Sequence, residues 1–115
     1  MLRNDVLRKQ ADFDAVYKRG RSVGDKYVVL FYLKNGLDHN RTGFLASKKV
    51  GNSVKRNRAR RLMRESFRHI AEDLPQGYDI ILIARNTIPG KSFTEVDNSI
   101  IHAFRRTGLT TGNKK

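Results

Sequence analysis

The sequence predicts an α+β fold in which helices cover a sheet as a two-layer α/β sandwich. Two apolar segments, residues 27–33 and 78–84, are continuous and rich in β-branched or aromatic residues, which is typical of strands covered on both faces. Three other segments have the apolar spacing of helices. Strands that are apolar on both faces need helices to cover them, so the expected order is α-β-β-β-α-β-α.

The first half of the chain is predicted to contribute one helix and three strands. The spacing of aromatic and aliphatic residues predicts a helix over residues 10–19. A short edge strand is expected around Val23, and a central strand over residues 27–33. After a polar loop, a further strand is predicted over residues 43–50.

The second half adds the longest helix, one strand and a final helix. The long helix is expected to begin at Asn52 or Ser53, because either side chain can cap it, and to end near Ala71. Residues 78–84 form the strand that follows. The final helix starts at a Ser-Phe-Thr-Glu segment, residues 92–95, that matches a capping box.

Length and composition indicate one domain. The chain has 115 residues, a formal net charge of +13 and no cysteine. We expect one α+β domain over residues 1–108 and a flexible tail over residues 109–115. The lack of cysteine excludes disulfides and thiolate chemistry, and it suits a reducing compartment. No apolar run approaches a membrane span, and the first residues do not resemble a signal peptide, so a soluble cytoplasmic protein is expected.

The long helix is unusually basic. Seven of the fourteen residues from Lys55 to Arg68 are Lys or Arg, and Glu65 is the only acid among them. Like charges one turn apart repel, so this segment is destabilised unless a polyanion neutralises it. Arginine grips two phosphate oxygens at once, which makes nucleic acid the first hypothesis. The alternative is an unusually basic solvent-exposed face.

Three aromatic residues are candidates for a groove. Phe13 and Tyr17 lie one helical turn apart, and strand alternation places Phe31 on one face with Tyr27 and Val29. Exposed rings stack on unpaired bases with little sequence preference. Ordinary core packing gives the same spacing, so the residues alone leave both interpretations open.

No catalytic group of side chains stands out. His39, His69 and His102 are scattered and lack metal-ligand spacing. Asp12 and Asp14 are two residues apart on a helix and point in different directions. The sequence therefore predicts no catalytic residue and no metal site in the protein itself.

One segment resembles a known family. Residues 47–65 join Ser-Lys-Lys-Val-Gly to an Arg-Asn-Arg helix start, and this pairing closely resembles the signature of the bacterial ribonuclease P protein subunit. Residues 7–13 and 78–81 are also similar to that family, and the likeness covers about residues 5–106. Ser53 stands where the family commonly has alanine.

The resemblance implies a protein cofactor of a ribozyme. In that family the RNA subunit holds Mg²⁺ and cleaves precursor tRNA endonucleolytically, which gives the mature 5′ end. The protein is then a component of the endoribonuclease, with no membrane association and no obligate protein partner. The implied fold is ribosomal protein S5 domain 2-like, with a left-handed βαβ crossover against the usual right-handed rule.

The resemblance also implies two RNA surfaces. A central groove would hold the single-stranded 5′ leader of precursor tRNA, and Phe13, Tyr17 and Phe31 match its aromatic positions. The basic segment would contact the catalytic RNA. Ten residues belong to this second surface: Lys48, Lys49, Lys55, Arg56, Asn57, Arg58, Arg60, Arg61, Arg64 and Arg68.

Two other functions remain open from the residues. One is a pure RNA-binding module, such as a ribosomal protein or an RNA chaperone. The other is binding of double-stranded DNA through the basic helix, although no dimer or recognition-helix pattern is present. The net charge supports all three functions equally, whereas the paired motifs in residues 47–65 favour the ribonuclease P subunit.

Overall fold

Strands and helices follow one another in the predicted α-β-β-β-α-β-α order in the computed structural model, which describes residues 5–110. The helices are α1 (Gln10–Arg19), α2 (Ser53–Ile70) and α3 (Phe93–Thr107). The strands are β1 (Arg21–Gly24), β2 (Val28–Lys34), β3 (Arg41–Leu45) and β4 (Tyr78–Ala84). A 3₁₀ turn, Ala71–Asp73, follows α2 directly. None of the helices in residues 5–110 combines the length and apolar character needed to cross a membrane.

The four strands form one mixed sheet in the order β1-β2-β4-β3. β2 pairs antiparallel with both β1 and β4, and β3 pairs parallel with β4. The parallel pair is joined through α2, so these elements form a βαβ unit. The left hand of that crossover stays a prediction.

The main core lies between the sheet and the helices α2 and α3. Along α2, the predicted apolar stripe is buried at Ala59, Met63, Ser66, Phe67 and Ile70, whereas Leu62 is half-buried. Alternate residues of β2 and β4 face this stripe. The largest fully buried side chains of this core are Leu30, Met63, Ile80, Leu82, Ile88, Ile100 and Phe104.

The opposite face of the sheet is partly covered by α1. Leu7, Val16 and Ile81 form a second, smaller buried cluster there. The ring of Phe13 lies over Gly43, where an added Cβ would be 3.0 Å from the ring. Glycine at this position therefore allows α1 to approach β3 closely.

Arg41 fixes α1 to the sheet through two carboxylates. Its Nε and Nη2 donate to Asp79 at 2.8 and 2.7 Å, and its Nη1 donates to Asp12 of α1 at 3.2 Å. The hydrogen bonds to Asp79 raise the pKa of Arg41 above its ordinary value, against the effect of burial. Asn35 also donates to Asp79, at 2.9 Å. The orientation of α1 is thus set by charge-assisted bonds as well as by apolar packing.

The third predicted strand is shorter than expected. The prediction of residues 43–50 was wrong at its end, because β3 stops at Leu45. Ser47 then accepts local hydrogen bonds from Lys49 and Val50, and such bonds compete with a strand ladder. β3 also begins earlier than predicted, at Arg41, because that residue pairs with Asp79 in the parallel register.

The helix ends agree with the sequence. Asn52 rather than Ser53 caps α2, since its Oδ1 accepts from the Lys55 N–H at 3.0 Å. The capping box at Ser92 is confirmed, and the left-handed Gly108 ends α3 at φ 81°. Leu109, in the predicted tail, packs against the main core, and residues 111–115 lie outside the described residues.

A buried carboxylate joins the β1–β2 turn to α3. The Asp25 carboxylate accepts hydrogen bonds from Ser99 Oγ at 2.8 Å and from the Lys26 N–H at 2.8 Å. It also lies 2.5 Å from His102 Nδ1. Burial raises the pKa of Asp25, but the hydrogen bonds from His102, Lys26 and Ser99 outweigh it, so the pKa lies below its ordinary value.

Replacing Asp25 with alanine is expected to lower the free energy of unfolding at pH 6 by about 1–3 kcal/mol, because the buried Ser99 hydroxyl loses its acceptor and the exposed His102 loses its carboxylate partner. The Asp25 contribution is complete above the unfolded pKa of about 3.9 and is lost as pH falls through the lower folded pKa. Urea unfolding of wild type and Asp25→Ala at several pH values measures this difference in the free energy of unfolding.

The control is Asp38→Ala, at a side chain that is 99% exposed, and it should leave the free energy of unfolding unchanged. Equal effects of both variants would contradict the prediction.

Candidate nucleic-acid interface

A basic turn, residues 46–51, connects β3 to α2. The Val50 N–H donates to the Ser47 carbonyl at 3.0 Å, and the Lys49 N–H donates to the Ser47 hydroxyl at 3.2 Å. Val50 is buried and anchors the turn in the main core. Lys48 and Lys49 are consequently held on the outside, where both side chains are exposed.

The start of α2 is electropositive for two reasons. Its first turn contains no acid, and it carries Lys55 and Arg56. The N-terminal end of a helix dipole is also positive, so the cations and the dipole add instead of compensating. An anion bound here would remove an unfavourable interaction and gain backbone N–H donors.

Two arginines of α2 are braced against the basic turn. Arg56 Nη1 donates to the Gly51 carbonyl at 2.8 Å. Arg60 Nη2 donates to Asn57 Oδ1 at 2.6 Å, and its Nη1 reaches the Ala46 carbonyl at 3.5 Å. Asn57 therefore orients a neighbouring guanidinium. These bonds hold cationic groups in place without neutralising them.

Acidic partners are nearly absent from this surface. Of the nine predicted cationic side chains, only Arg68 has an ion pair within residues 5–110, to Glu65 at 2.6 Å. Arg64 lies over the ring of Phe44, with 5.7 Å between guanidinium carbon and ring centroid. The predicted basic residues thus share one continuous stretch of turn and helix, and their charge remains available to a polyanion.

The three predicted groove aromatics meet on the α1 face of the sheet. Tyr17 and Phe31 form an edge-to-face pair with centroids 5.1 Å apart. Tyr17 is 39% exposed, whereas Phe13 and Phe31 are half-buried and pack around the second cluster. Burial and the neighbouring Asp14 raise the pKa of Tyr17, so its phenol is neutral at physiological pH. Phe13 therefore packs mainly against the sheet, whereas the Tyr17 ring is the one exposed to solvent.

The comparison with known families settles what kind of protein carries these surfaces. The Ribonuclease P family model matches residues 1–108. The chain belongs to the ribonuclease P protein family. Its fold and motifs are therefore those of a ribonuclease P protein component, part of a ribonucleoprotein endoribonuclease in tRNA processing.

Individual relatives agree with the family match. The ribonuclease P protein component of Alkaliphilus oremlandii is 46% identical over 103 residues, which cover 90% of each chain. The RNase P protein structure from Staphylococcus aureus has 34% identity and a TM-score of 0.85, covering 92% of this chain and 97% of that one. The RNase P protein from Thermotoga maritima has 32% identity and a TM-score of 0.78, covering 87% and 94%. The family match favours this identity over the ribosomal-protein, chaperone and DNA-binding alternatives.

The described residues of this ribonuclease P protein show no arrangement for covalent catalysis. Ser99, His102 and Asp25 lie together, but the Ser99 hydroxyl donates to Asp25 at 2.8 Å instead of pairing with His102. A nucleophile activated by histidine needs the direct Ser–His bond. Within residues 5–110, no three His, Asp or Glu side chains are placed to hold a metal ion.

Three further cations lie at the same end of the sheet as the basic turn and were missed by sequence reasoning. β3 and β4 are parallel, so the loop after β4 emerges at the same end of the sheet as the basic turn. Arg85 pairs its N–H with the Tyr27 carbonyl at 2.9 Å, and Lys91 lies 5.5 Å from the Tyr27 ring. Lys26 belongs to the same end. Only the strand order could have placed them there, because they are remote in sequence.

Proposed function

We propose that this protein is the ribonuclease P subunit that binds the catalytic RNA with its basic turn and α2, and the 5′ leader of precursor tRNA with the α1 face. Bound in this way, it assists magnesium-dependent endonucleolytic removal of the leader, which gives mature tRNA 5′ ends. In this proposal it acts in the cytoplasm.

The density of uncompensated charge carries the proposal. Eight of the nine cations on the basic turn and α2 make no ion pair with an acid of the described residues. A structural role would favour alternating charges along a helix, as in most solvent-exposed helices. The braced Arg56 and Arg60 are pre-ordered for phosphate, so less conformational entropy is lost on binding.

The leader site rests on the aromatic face. The rings of Tyr17 and Phe31 pack edge to face on the side of the sheet that α1 covers only in part. Such surfaces bind single-stranded bases by stacking, which contributes about 1–3 kcal/mol per base. Mature tRNA has no leader, so these contacts add affinity for the precursor alone. The protein thereby favours binding of the substrate over the product.

The protein's own part in the reaction is binding and electrostatic support. Its arginines and lysines neutralise phosphates where two RNA segments approach each other, which lowers the repulsion between them. The magnesium ions belong to the RNA subunit and the substrate, as the family resemblance implies. No protein side chain is assigned a proton transfer or a bond to the scissile phosphate.

Reconstitution with a cognate catalytic RNA is the direct test. At a magnesium concentration where the RNA alone is nearly inactive, adding the wild-type protein is expected to restore precursor cleavage at the mature 5′ end. The measurement is the single-turnover rate with 5′-labelled precursor. Protein without RNA serves as the control, and cleavage by that control would contradict the proposal, as would the lack of any gain with RNA.

A further inference from the structure

A cavity of about 520 Å³ lies between the C-terminal half of α2 and the start of β3. α2 contributes Arg61, Arg64 and Phe67, and the facing wall includes Asn40 and Gln76. Sites for small molecules typically occupy about 300–1,000 Å³. The cavity is therefore large enough for one nucleotide.

The α2 wall presents planar cationic groups above a buried aromatic floor. Phe67 is 5% exposed and packs edge-on against Phe44 with centroids 5.8 Å apart, and Arg64 lies over the Phe44 ring. Bases stack on guanidinium planes as well as on aromatic rings, so Arg61 and Arg64 are the stacking surfaces of this wall. Arg61 has no acidic partner among the described residues, so its guanidinium is available to a phosphate.

The cavity is cationic overall. Asp5 and Glu65 also line it, but Glu65 is neutralised by Arg68 at 2.6 Å. Two arginines then face one uncompensated carboxylate. This balance suits a group with a single phosphate better than a neutral metabolite.

The facing wall is rigid and polar. Asn40 donates to the Pro75 carbonyl at 2.9 Å and accepts from the Tyr78 N–H at 2.8 Å, which uses both ends of its amide. Gln76 accepts from the Asn40 N–H at 3.2 Å, and its Nε2 donors make no hydrogen bond with another described residue. Unused amide donors beside a stacking surface can recognise acceptors on a base edge.

We propose that this cavity binds one unpaired nucleotide of the catalytic RNA, turned out of its helix. The inference rests on the proposed function, because it takes the RNA partner from it. The cavity lies on the α2 face of the sheet, whereas Tyr17 and Phe31 lie on the α1 face. The catalytic RNA bound along α2 can reach it, and a leader held on the other face cannot.

The test fills the cavity without changing charge. Gln76→Trp is expected to weaken binding of the catalytic RNA at least tenfold and to make the plot of log affinity against log salt shallower by about one, because the phosphate contact to Arg61 is lost with the nucleotide. Gln76→Ala removes the amide donors without filling the space, so it should weaken binding by only about two- to fivefold, clearly less than Gln76→Trp. Affinity is measured by filter binding over a salt series, and circular dichroism confirms that each variant is folded.

Nucleotide-resolution acylation of the RNA 2′-hydroxyls supplies the second readout. Wild type and Gln76→Ala should protect one unpaired nucleotide that Gln76→Trp leaves reactive. Tight binding by Gln76→Trp, or equal losses in both variants, would overturn the cavity assignment alone. If wild type itself fails to bind the RNA, the proposed function and this inference fall together.

A wild-type measurement removes dependence on the variants. Titration with each nucleoside 5′-monophosphate, followed by amide NMR, should shift the Asn40 and Gln76 signals with at least one of the four. No shift at the cavity with any of them would overturn the proposal.

Discussion

Replacing Lys48, Lys49 and Arg58 together with alanine is expected to weaken catalytic-RNA binding on the order of 100- to 1,000-fold. None of these three side chains has an acid partner within residues 5–110, so their full charge is available to phosphates. The plot of log affinity against log salt should also become shallower by about three. Both effects can be read from one salt series by filter binding.

A charge-matched control separates local contacts from net charge. Lys18, Arg19 and Lys34 are exposed cations outside the basic turn and α2, and their triple replacement removes the same charge. That variant should keep most of its affinity for the catalytic RNA. Similar losses in both triple variants would show that overall charge, and not the proposed surface, determines binding.

Replacing Tyr17 with alanine is expected to weaken precursor-tRNA binding to the holoenzyme by roughly 5- to 150-fold, as the loss of one stacked base would. Binding of mature tRNA should not change, because it has no leader. The exposed ring of Tyr17 makes this position more informative than Phe13, whose ring packs over Gly43 and also supports the fold.

Tyr17→Phe is the matched control, because it keeps the ring and removes only the hydroxyl group. It should retain nearly full affinity for the precursor. Equal losses for precursor and mature tRNA in Tyr17→Ala would refute the groove assignment. A comparable loss in Tyr17→Phe would indicate that the hydroxyl group, and not stacking, makes the contact.

The sequence predicted the elements well where local physics determines them. The spacing of apolar residues predicted α1 as residues 10–19, and a continuous apolar run predicted β4 as residues 78–84; both are confirmed. It failed at the end of β3, because the hydroxyl and carbonyl of Ser47 capture backbone N–H groups that a strand would use. The early start at Arg41 depends on pairing with Asp79, which is far away in sequence.

The candidate site was predictable to the extent that it is contiguous. The basic turn and α2 are one continuous segment of the chain, and the family motif in residues 47–65 identified them. Arg85 and Lys91 lie at the same end of the sheet as the basic turn because β3 pairs parallel with β4, which no local pattern encodes. Alternation correctly separated Phe31 from Leu30 and Tyr32, but it was wrong for Tyr27, which packs against the main core. Only packing shows that Tyr17 is the exposed ring and Phe13 the packed one.

The placement of α1 and α2 on opposite sides of one sheet has an electrostatic consequence. The shortest principal extent of the molecule is 25 Å, whereas the Debye length at physiological ionic strength is about 8 Å. Two nucleic-acid strands bound on these opposite sides would therefore be at least about three screening lengths apart. If the leader and the catalytic RNA bind these two sides as proposed, the protein acts as a spacer that lets both anionic partners bind together with little mutual repulsion.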